Sequence, residues 1–369
     1  MPIRYLKTAK EMLARGTPGY LVFFVTPYCN CRCAMCFNAR VVDEANRRKI
    51  LTLEEIARIA RNFPGLHYIN FSGGEPFLRE DLEHIPALFY RYSGTRFFTF
   101  TTNSSLPEIT EAKLRAICES CPDSWIRINQ SLDAIGPEHD LIRGKPGLFA
   151  SVVDLNQRLS RLTRSHPNLS VGIVTVISRL NQGREYGLLD YLYQNLFFSD
   201  YGVLYARGET RDPAAREIDA RAFVRFHGAV RSRAKRRPEQ RGLSARLYTA
   251  LHQTAGLLLI KVITEDRYVT PCQAGRRMLV IDDQGSVEPC EILKVLIRER
   301  KSSLESSDLG NLRAFDYDVR KLLTTDHSKR VLEHIIEHRC YCTYECAMAA
   351  NVLYTPRLWP LVLKNFVSL

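Results

Sequence analysis

The 369-residue sequence lacks any apolar run near the roughly 20 residues that a membrane-spanning helix needs, since the run at 256–263 is far too short. The N-terminus, M-P-I-R-Y-L-K-T-A-K, also lacks the apolar run and the small-residue cleavage site of a signal peptide. Hydrophobic residues at 45% and charged residues at 25% are ordinary for a folded globular protein. We therefore predict a cytoplasmic protein without a transmembrane segment.

Histidine is lacking where cysteine is concentrated. Cys29, Cys33 and Cys36 are spaced C-x3-C-x2-C with no histidine nearby, so a local tetrahedral zinc site is poorly supplied. The chain has eleven cysteines and no export signal, which favours metal ligation over disulfides. A cubane iron–sulfur cluster takes one thiolate per iron, so three thiolates leave one iron open for a ligand that is not protein. Cys31 lies in the same loop and could compete as a ligand, but the spacing is complete without it.

Acidic residues are outnumbered, with 40 Asp and Glu against 52 Lys and Arg, and the net charge is +12. Such an excess is compatible with nucleic acid, an anionic membrane surface or an acidic substrate as partner. The densest basic run, at 230–241, has no interleaved aromatic residue, and its periodicity indicates a solvated helix end. Nucleic-acid binding is therefore not the predicted function.

Strand and helix patterns alternate along the first two hundred residues. Runs rich in β-branched and aromatic residues predict strands at 21–25, 68–72, 97–103, 125–133, 169–177 and 201–207. Helical patterns lie at 4–15, 53–63, 79–91, 111–120, 147–159 and 183–196. Thr52 precedes Leu53-Glu54-Glu55 as in a capping box. The alternation predicts an α/β fold with a parallel sheet and right-handed crossovers, in which functional groups gather at the carboxyl ends of the strands.

Four motifs each begin at or near the end of one of these predicted strands. They are T-P-Y-C-N-C-R-C-A-M-C-F-N at 26–38, S-G-G-E-P at 72–76, T-N at 102–103 and S-L-D-A-I-G-P-E-H-D-L-I-R-G at 131–144. Together they resemble the signatures of the radical S-adenosylmethionine (radical SAM) superfamily, in its SPASM/twitch branch. The resemblance implies a partial (β/α)6 TIM-like barrel over 1–208, with S-adenosylmethionine on the open iron of a [4Fe–4S] cluster. Ser104 replaces the glycine that often follows T-N in the family, a mild departure.

The same resemblance implies roles for individual residues. Gly73, Gly74 and Glu75 would receive the methionine amino group of the cofactor. Ser131 would lie at the ribose, and Arg143 would pair with the methionine carboxylate through its two-donor fork.

Three further residues are implied as cofactor contacts: Met35, Asn103 and Leu204, the last beside the adenine. Asp133 and His139 either take part or brace the loop.

Five cysteines lie in the C-terminal part, beyond a predicted helical connection at 209–260. Cys272 and Cys290 flank a predicted hairpin, and Cys340, Cys342 and Cys346 follow in C-Y-C-T-Y-E-C. This arrangement resembles the small α+β twitch/SPASM auxiliary domain, here over 261–369. A full SPASM domain has more cysteines and two clusters, so the resemblance implies one auxiliary [4Fe–4S] cluster.

The ligands implied for that cluster are Cys272, Cys290, Cys342 and Cys346, with Cys340 as a possible replacement for Cys342. A zinc site on the same ligands is the alternative. Glu291 directly follows Cys290. In the related sulfatase-maturating enzymes an acidic residue at this place takes a proton from substrate, so a catalytic base is implied; a solvent-facing strand glutamate is the alternative.

The expected function is that of a radical SAM enzyme that cleaves S-adenosylmethionine to a 5′-deoxyadenosyl radical and removes a hydrogen atom from a small molecule or short peptide. A flavodoxin- or ferredoxin-type protein would supply the electron. Alternatives within the superfamily are a ribosomal-peptide maturase and a modifier of lipid-linked or anionic substrates. Outside enzymology, an electron-transfer protein or a basic, zinc-containing nucleic-acid-binding protein remains. Cys118 and Cys121, spaced C-x2-C at a predicted helix end, are interpreted as buried structural thiols.

Overall fold

Six strands form in the first two hundred residues, as the alternating pattern predicts. The computed structural model describes residues 17–235, 242–299 and 304–369; the helix predicted at 4–15 and the 236–241 part of the basic run lie outside them. The strands are β1 (Tyr20–Thr26), β2 (Tyr68–Gly73), β3 (Phe97–Thr102), β4 (Trp125–Ser131), β5 (Leu169–Ile177) and β6 (Asp200–Tyr205). All six pair in parallel in the order of the chain, which confirms the predicted α/β sheet.

Helices connect the strands and cover the outer face of the sheet. The first seven are α1 (Ala39–Asp43), α2 (Leu53–Arg61), α3 (His84–Tyr92), α4 (Pro107–Ser120), α5 (Pro137–Arg143), α6 (Leu148–Ser165) and α7 (Glu185–Asn195). Seven more follow β6: α8 (Ala220–Ala234), α9 (Leu243–Glu265), α10 (Leu293–Glu299), α11 (Val319–Leu323), α12 (Asp326–Glu337), α13 (Glu345–Leu353) and α14 (Trp359–Val367). No helix within the described ranges is both long enough and apolar enough to cross a membrane.

The predicted C-terminal hairpin continues the barrel sheet. Strands β7 (Met278–Ile281) and β8 (Ser286–Glu288) form the hairpin, and β8 also pairs with the short β9 (Gly310–Asn311). β7 additionally pairs in parallel with β1, so one nine-stranded sheet runs from β6 through β1 to β9. The cysteine-rich part is therefore attached to the barrel through backbone hydrogen bonds, and the boundary predicted at 261 does not coincide with a break in the sheet.

Alternation of side chains along the strands gives the sheet two different faces. On β1, Leu21, Phe23 and Val25 are fully buried in the main hydrophobic core. On β4, Arg127 and Asn129 face the opposite side, toward the barrel interior. The interior of the barrel is consequently polar, and the apolar core lies between the sheet and the helices.

The capping box predicted at the start of α2 is confirmed. The Thr52 hydroxyl accepts a hydrogen bond from the Glu55 N–H (3.2 Å), and the Glu55 carboxylate accepts one from the Thr52 N–H (2.8 Å). Glu55 also accepts a hydrogen bond from Arg313 Nε (2.6 Å), and this ion pair lowers the pKa of Glu55 to about 2. The cap thereby joins a barrel helix to the cysteine-rich part of the chain.

Candidate functional site

The cysteine loop after β1 is attached to the ends of β2 and β3. The Glu75 N–H donates to the Tyr28 carbonyl oxygen (2.7 Å) at the end of β2. After β3, Asn103 Nδ2 donates to Asn30 Oδ1 (2.9 Å) and lies 3.9 Å from the Cys29 sulfur. All of these groups follow the carboxyl ends of parallel strands. The loop therefore lies at the edge of the sheet where functional residues were expected.

Two later segments attach the other side of the loop. The Arg32 N–H donates to the Arg143 carbonyl oxygen (2.9 Å), at the end of α5. The Asp212 N–H donates to the Ala34 carbonyl oxygen (2.8 Å), in the segment that follows β6. Three backbone hydrogen bonds and one side-chain hydrogen bond from four parts of the barrel therefore fix the loop, so its cysteines are held on a defined frame.

Glycines at 73 and 74 allow the loop to approach β2 closely. Gly73 has a φ of +128°, which residues with a side chain rarely adopt, and a Cβ there would collide with the Thr26 carbonyl oxygen. A Cβ on Gly74 would collide with the Tyr28 carbonyl oxygen. Here the two glycines serve the packing of the loop against β2.

Glu75 is buried beneath the loop and braces the ends of two strands. Its Oε1 accepts hydrogen bonds from Thr102 Oγ1 (2.9 Å) and the Phe77 N–H (3.2 Å). Its Oε2 accepts one from the Asn103 N–H (2.6 Å). Burial raises the pKa of Glu75 to about 7, although these hydrogen bonds favour the carboxylate. In this arrangement Glu75 holds Asn103 in place, in addition to any contact it makes with a cofactor.

The thiols of the loop differ in their acidity. The neighbouring Cys31 thiol lowers the pKa of Cys29 to about 6, with help from Arg143 and Asn103. The pKa of Cys33 is also lowered by Cys31 and Arg143, whereas burial raises the pKa of Cys36 to about 12. Iron ligation requires thiolates, so the environment of Cys29 and Cys33 fits a cluster ligand. The Cys31 thiol is a neighbour of both Cys29 and Cys33.

Arg143 is held in place by Asp133. The guanidinium donates from Nε to Asp133 Oδ2 (2.5 Å), and its Nη1 lies 3.9 Å from the Cys33 sulfur. The other oxygen of Asp133 accepts from the Val176 N–H (2.8 Å), and the Asp133 N–H donates to His139 Nδ1 (3.1 Å). Asp133 and His139 therefore brace the loop in this structure, and they orient Arg143 toward the cysteines.

The remaining predicted cofactor residues lie around this frame. Met35 is buried in an apolar cluster with Ile142 and Ala206. Ser131 ends β4 and is buried, and Leu204, near the end of β6, lines the barrel interior. Cys118 and Cys121 are buried away from the loop, as predicted for structural thiols.

Four of the five C-terminal cysteines lie close enough to shift one another's pKa, and they include Cys340, which was expected as a possible replacement for Cys342. Cys272 is hydrogen-bonded to Cys340, and the pKa of Cys340 is raised by Cys272, burial, Cys342 and Cys290. Burial raises the pKa of Cys290, with further contributions from Cys342 and Cys272. The group is therefore Cys272, Cys290, Cys340 and Cys342.

Cys346 lies apart from that group. The charged neighbours of its thiol are Glu291, Arg207 and Glu345, and it lines the barrel interior. Cys346 belongs to the first turn of α13, whereas Cys340 and Cys342 precede that helix.

The described part of the chain contains no three His, Cys, Asp or Glu side chains arranged to hold a single metal ion. A tetrahedral zinc site draws its thiolates to about 2.3 Å from one point. A cubane instead takes one thiolate per iron, so its ligands need not converge on a single point.

Arg207, two residues after the end of β6, contacts both the cysteine loop and the C-terminal segment C-Y-C-T-Y-E-C. Its guanidinium forms an ion pair with Glu345 and lies over the rings of Tyr344 (4.7 Å) and Phe37 (5.6 Å), the residue after Cys36. Glu291 lies beside Arg207, is buried, and has its pKa raised to about 7 by that burial. It is therefore not the solvent-facing strand glutamate of the alternative interpretation.

A small cavity of about 80 Å³ lies between the segment that follows Cys36 and the segment that contains Glu288 and Glu291. Phe37 and Asn38 line it on one side, and Glu288 and Glu291 on the other. The side-chain atoms Asn38 Nδ2, Glu288 Oε2 and Glu291 Oε2 are buried without a hydrogen-bond partner in the described structure. Unpaired polar atoms around one cavity indicate a place where a polar ligand group can bind.

A larger cavity of about 170 Å³, the lumen cavity, lies inside the barrel. Its wall includes Asn70, Asn129 and Leu204 from the strands and the Cys346 thiol from α13. Helices α8 and α9 close it, contributing among others His227, Tyr248, His252 and Gln253. The sequence gives no signal for these helix residues, because a pattern of helical spacing does not show which helix closes a barrel.

Some polar groups of the lumen cavity are paired with other protein groups, and others are unpaired in the described part of the chain. Arg127 forms an ion pair with Asp200, passing the backbone at Gly172, where a Cβ would strike the guanidinium. His227 Nδ1 and Gln253 Oε1 are buried without a hydrogen-bond partner in the described ranges. Burial lowers the pKa of His227 to about 4, so its imidazole is neutral at pH 7.

Residues 23–181 match the family model described as the Radical SAM superfamily. Curated relatives match a similar share of the chain. A GTP 3′,8-cyclase of Marinobacter nauticus is 36% identical over 141 residues, which is 37% of this chain and 40% of the relative. A GTP 3′,8-cyclase of Sulfurimonas denitrificans is 33% identical over 146 residues, 38% of this chain and 43% of the relative. The matched stretch thus spans about two fifths of these relatives.

Two solved structures resemble the fold over most of the chain. Streptococcus suis SuiB bound to S-adenosylmethionine superposes with a TM-score of 0.60 at 16% identity, over 89% of this chain and 71% of SuiB. The protein anSMEcpe with bound AdoMet gives a TM-score of 0.59 at 16% identity, over 94% of this chain and 96% of anSMEcpe. At such identity the likeness establishes the architecture: the partial-barrel α/β fold predicted from the sequence is confirmed.

Proposed function

We propose, from the match of residues 23–181 to the Radical SAM superfamily model, that the protein is an enzyme that reductively cleaves S-adenosylmethionine on a [4Fe–4S] cluster held by Cys29, Cys33 and Cys36. The observation that carries the proposal is the loop bearing these cysteines, fixed from four sides at the carboxyl ends of the strands. When bound and reduced, the cluster supplies the electron that splits the cofactor and yields a 5′-deoxyadenosyl radical, which takes a hydrogen atom from substrate.

The protein's own residues position the cofactor and exclude water. Arg143, oriented by Asp133, offers a guanidinium beside Cys33 for the methionine carboxylate. Asn103, held by Glu75, keeps the loop against β3. Gly73 and Gly74 leave backbone carbonyl groups accessible for the amino group, while Met35, Ser131 and Leu204 contribute the enclosing surface for ribose and adenine.

We further propose one auxiliary [4Fe–4S] cluster with Cys272, Cys290, Cys340 and Cys342 as ligands, replacing Cys346 of the expected set. Support comes from the mutual interaction of these four thiols and from the position of Cys346 at the lumen cavity. Glu291, next to Cys290 and facing Arg207, is the proposed base: it would take a proton from the substrate radical as that radical passes one electron to the auxiliary cluster. A flavodoxin- or ferredoxin-type protein is the proposed electron donor.

The small cavity lined by Glu291 is the proposed place for the group that loses a proton, and the lumen cavity is the proposed place for another part of the substrate. The volume of the lumen cavity, about 170 Å³, is below the roughly 300–1,000 Å³ of pockets that enclose drug-sized ligands. It therefore suits a small molecule or a single side chain of a short peptide. His227 and Gln253 provide unpaired acceptor and donor capacity for polar groups there.

A second candidate is GTP 3′,8-cyclase activity. It is favoured by the 36% identity over 141 residues to the Marinobacter nauticus enzyme. The match covers only 40% of that enzyme, so we rank this candidate second.

The test of cofactor cleavage is an anaerobic assay with dithionite and S-adenosylmethionine, in which 5′-deoxyadenosine is measured by chromatography. We expect product from the wild type and none from Cys33→Ala. Cys118→Ala is the matched control, because it removes a buried thiol away from the loop, and it should retain activity. Product from Cys33→Ala at the wild-type rate would overturn the cluster assignment. Adding GTP to the same assay, and following its consumption, tests the second candidate.

The ligand set of the auxiliary cluster is tested by iron content after anaerobic reconstitution. Two cubanes give about eight irons per chain, and one gives about four. We expect Cys340→Ala to fall to about four irons and Cys346→Ala to keep about eight. The reverse pattern would restore Cys346 as the ligand. Zinc in place of iron, measured by elemental analysis, would favour the nucleic-acid-binding alternative.

A further inference from the structure

The last helix of the chain has an apolar ridge on its solvent side. In α14, Val362 and Asn365 face the protein and are buried. Trp359, Leu363 and Val367 recur every four residues and are 37%, 62% and 73% exposed. Residues with this spacing share one face of a helix, so the three side chains form a continuous row.

The ridge extends onto the first turns of α9. Arg246 Nη2 donates to the Phe366 carbonyl oxygen (3.2 Å), and the guanidinium lies 4.8 Å from the centre of the Phe366 ring. This contact joins the beginning of α9 to the end of α14. Leu243 and Leu247, on either side of Arg246 in sequence, are both exposed.

We call the five exposed residues Trp359, Leu363, Val367, Leu243 and Leu247 the terminal ridge. They are five of the eleven large apolar side chains that are exposed in the described part of the chain. Soluble proteins usually scatter such residues singly, so their concentration on two contacting helices indicates a surface that binds something.

The helices that carry or adjoin the terminal ridge are rich in positive charge. Helices α8, α9 and α14 together contain seven Lys and Arg and one acidic residue, Glu265. The net charge of the whole chain is +12. Arg357 and Lys364, which flank the ridge on and next to α14, are exposed. Arg233 of α8 is paired with Asp190 of α7 (2.9 Å).

We propose that this face binds the surface of an anionic lipid membrane. Trp359, Leu363 and Val367 enter the boundary between headgroups and acyl chains, as the apolar faces of interfacial helices do. The surrounding cations lie at the level of the lipid phosphates, where each contributes about 1 kcal/mol near an anionic surface. Tryptophan suits this boundary, since its ring is amphipathic.

Two other occupants fit the surface less well. A second copy of the chain would bring two strongly basic faces together, and like charges at close range repel. Nucleic acid would match the charge, but an aliphatic row offers no hydrogen bond or ring stacking to bases. An anionic membrane matches the charge and the apolar row together.

Docking would also bring the lumen cavity close to lipid. Helices α8 and α9 close that cavity, and Arg231 of its wall donates to Asn365 Oδ1 of α14 (3.3 Å). The proposal does not depend on the reaction proposed above, because it concerns binding alone.

The experiment is flotation of the purified full-length protein with vesicles of phosphatidylcholine, with and without phosphatidylserine. We expect the protein to float with the phosphatidylserine vesicles and to be released as salt rises, because exposed charges are screened. The double variant Leu363→Glu/Val367→Glu should partition about tenfold or more weakly, since two apolar side chains are lost from the boundary.

Ile109→Glu is the matched control, because Ile109 is 46% exposed on α4, far along the chain from the ridge. It should float like the wild type. Lys364→Glu keeps the apolar row and tests the charge separately, with weaker flotation expected on phosphatidylserine vesicles. Thermal midpoints equal to that of the wild type establish that the variants are folded.

Three results would overturn the proposal. The first is a wild-type protein that stays unbound with both kinds of vesicle. The second is equal flotation of Leu363→Glu/Val367→Glu and Ile109→Glu. The third is absence of flotation together with a dimer, seen by light scattering, that the double variant dissociates, which would assign the ridge to a second copy of the chain.

Discussion

At the scale of single residues, the site depends on buried charges that hold other groups in place. Glu75 and Asp133 are both nearly inaccessible, and each accepts hydrogen bonds from a neighbouring strand or loop. Neither carboxylate is open to solvent, so the hydrogen bonds that each accepts come from groups of the protein. Their removal should therefore change the geometry of the cysteine loop as well as any contact with the cofactor.

Glu75→Gln tests this bracing role. The new amide would turn an N–H₂ group toward the N–H donors of Asn103 or Phe77, leaving one buried donor unpaired. We expect the free energy of unfolding to fall by about 1–3 kcal/mol, measured by denaturant titration under anaerobic conditions. Glu80→Gln, an exposed position five residues later, should change it by less than about 0.5 kcal/mol. Equal effects of the two variants would show that Glu75 does not brace the loop.

At the scale of elements, the cysteine loop and the β2 turn are fitted to each other. The fit requires the absence of a side chain at position 74, where the Tyr28 carbonyl oxygen occupies the space of a Cβ. The sequence suggested a close approach of a ligand to G-G-E-P, and the structure shows that the backbone of the loop itself makes a close approach.

Gly74→Ala should therefore displace the loop. We expect a loss of about 1–3 kcal/mol in the free energy of unfolding from the forced shift, together with lower iron content after reconstitution. Gly187→Ala is the control, because Gly187 lies in α7 with no atom near its Cβ position. Replacing that glycine should stabilise the protein by about 0.5–1 kcal/mol. Normal iron content in Gly74→Ala would contradict the fit described here.

At the scale of the whole molecule, one sheet connects the barrel to the cysteine-rich part. β7 pairs with β1 over four residues, and the Tyr205 N–H donates to Glu345 Oε1 (2.9 Å) at the start of α13. Helices α13 and α14 in turn pack on α9. The two cysteine groups therefore belong to one folded unit, which keeps the distance between them fixed.

Such a unit should unfold in one cooperative transition. The chain has two tryptophans, Trp125 in β4 and Trp359 in α14, so Trp359→Phe and Trp125→Phe each leave one reporter. We expect their fluorescence midpoints in guanidinium chloride to coincide, as for a two-state protein. An earlier transition reported by Trp359 would show that the C-terminal part unfolds separately from the barrel.

The sequence by itself determined the strand–helix alternation, the parallel sheet, the capping box at Thr52 and the position of the first cysteine group. These features depend on local patterns, namely side-chain period, cap chemistry and spacing along the chain. The tertiary structure decided which cysteines of C-Y-C-T-Y-E-C meet Cys272 and Cys290, that β7 joins β1, and that α9 closes the barrel. It also brought Leu243 and Leu247 next to the last helix. These outcomes depend on how segments that are distant in sequence pack together. The pattern within one segment does not show which other segment it packs against.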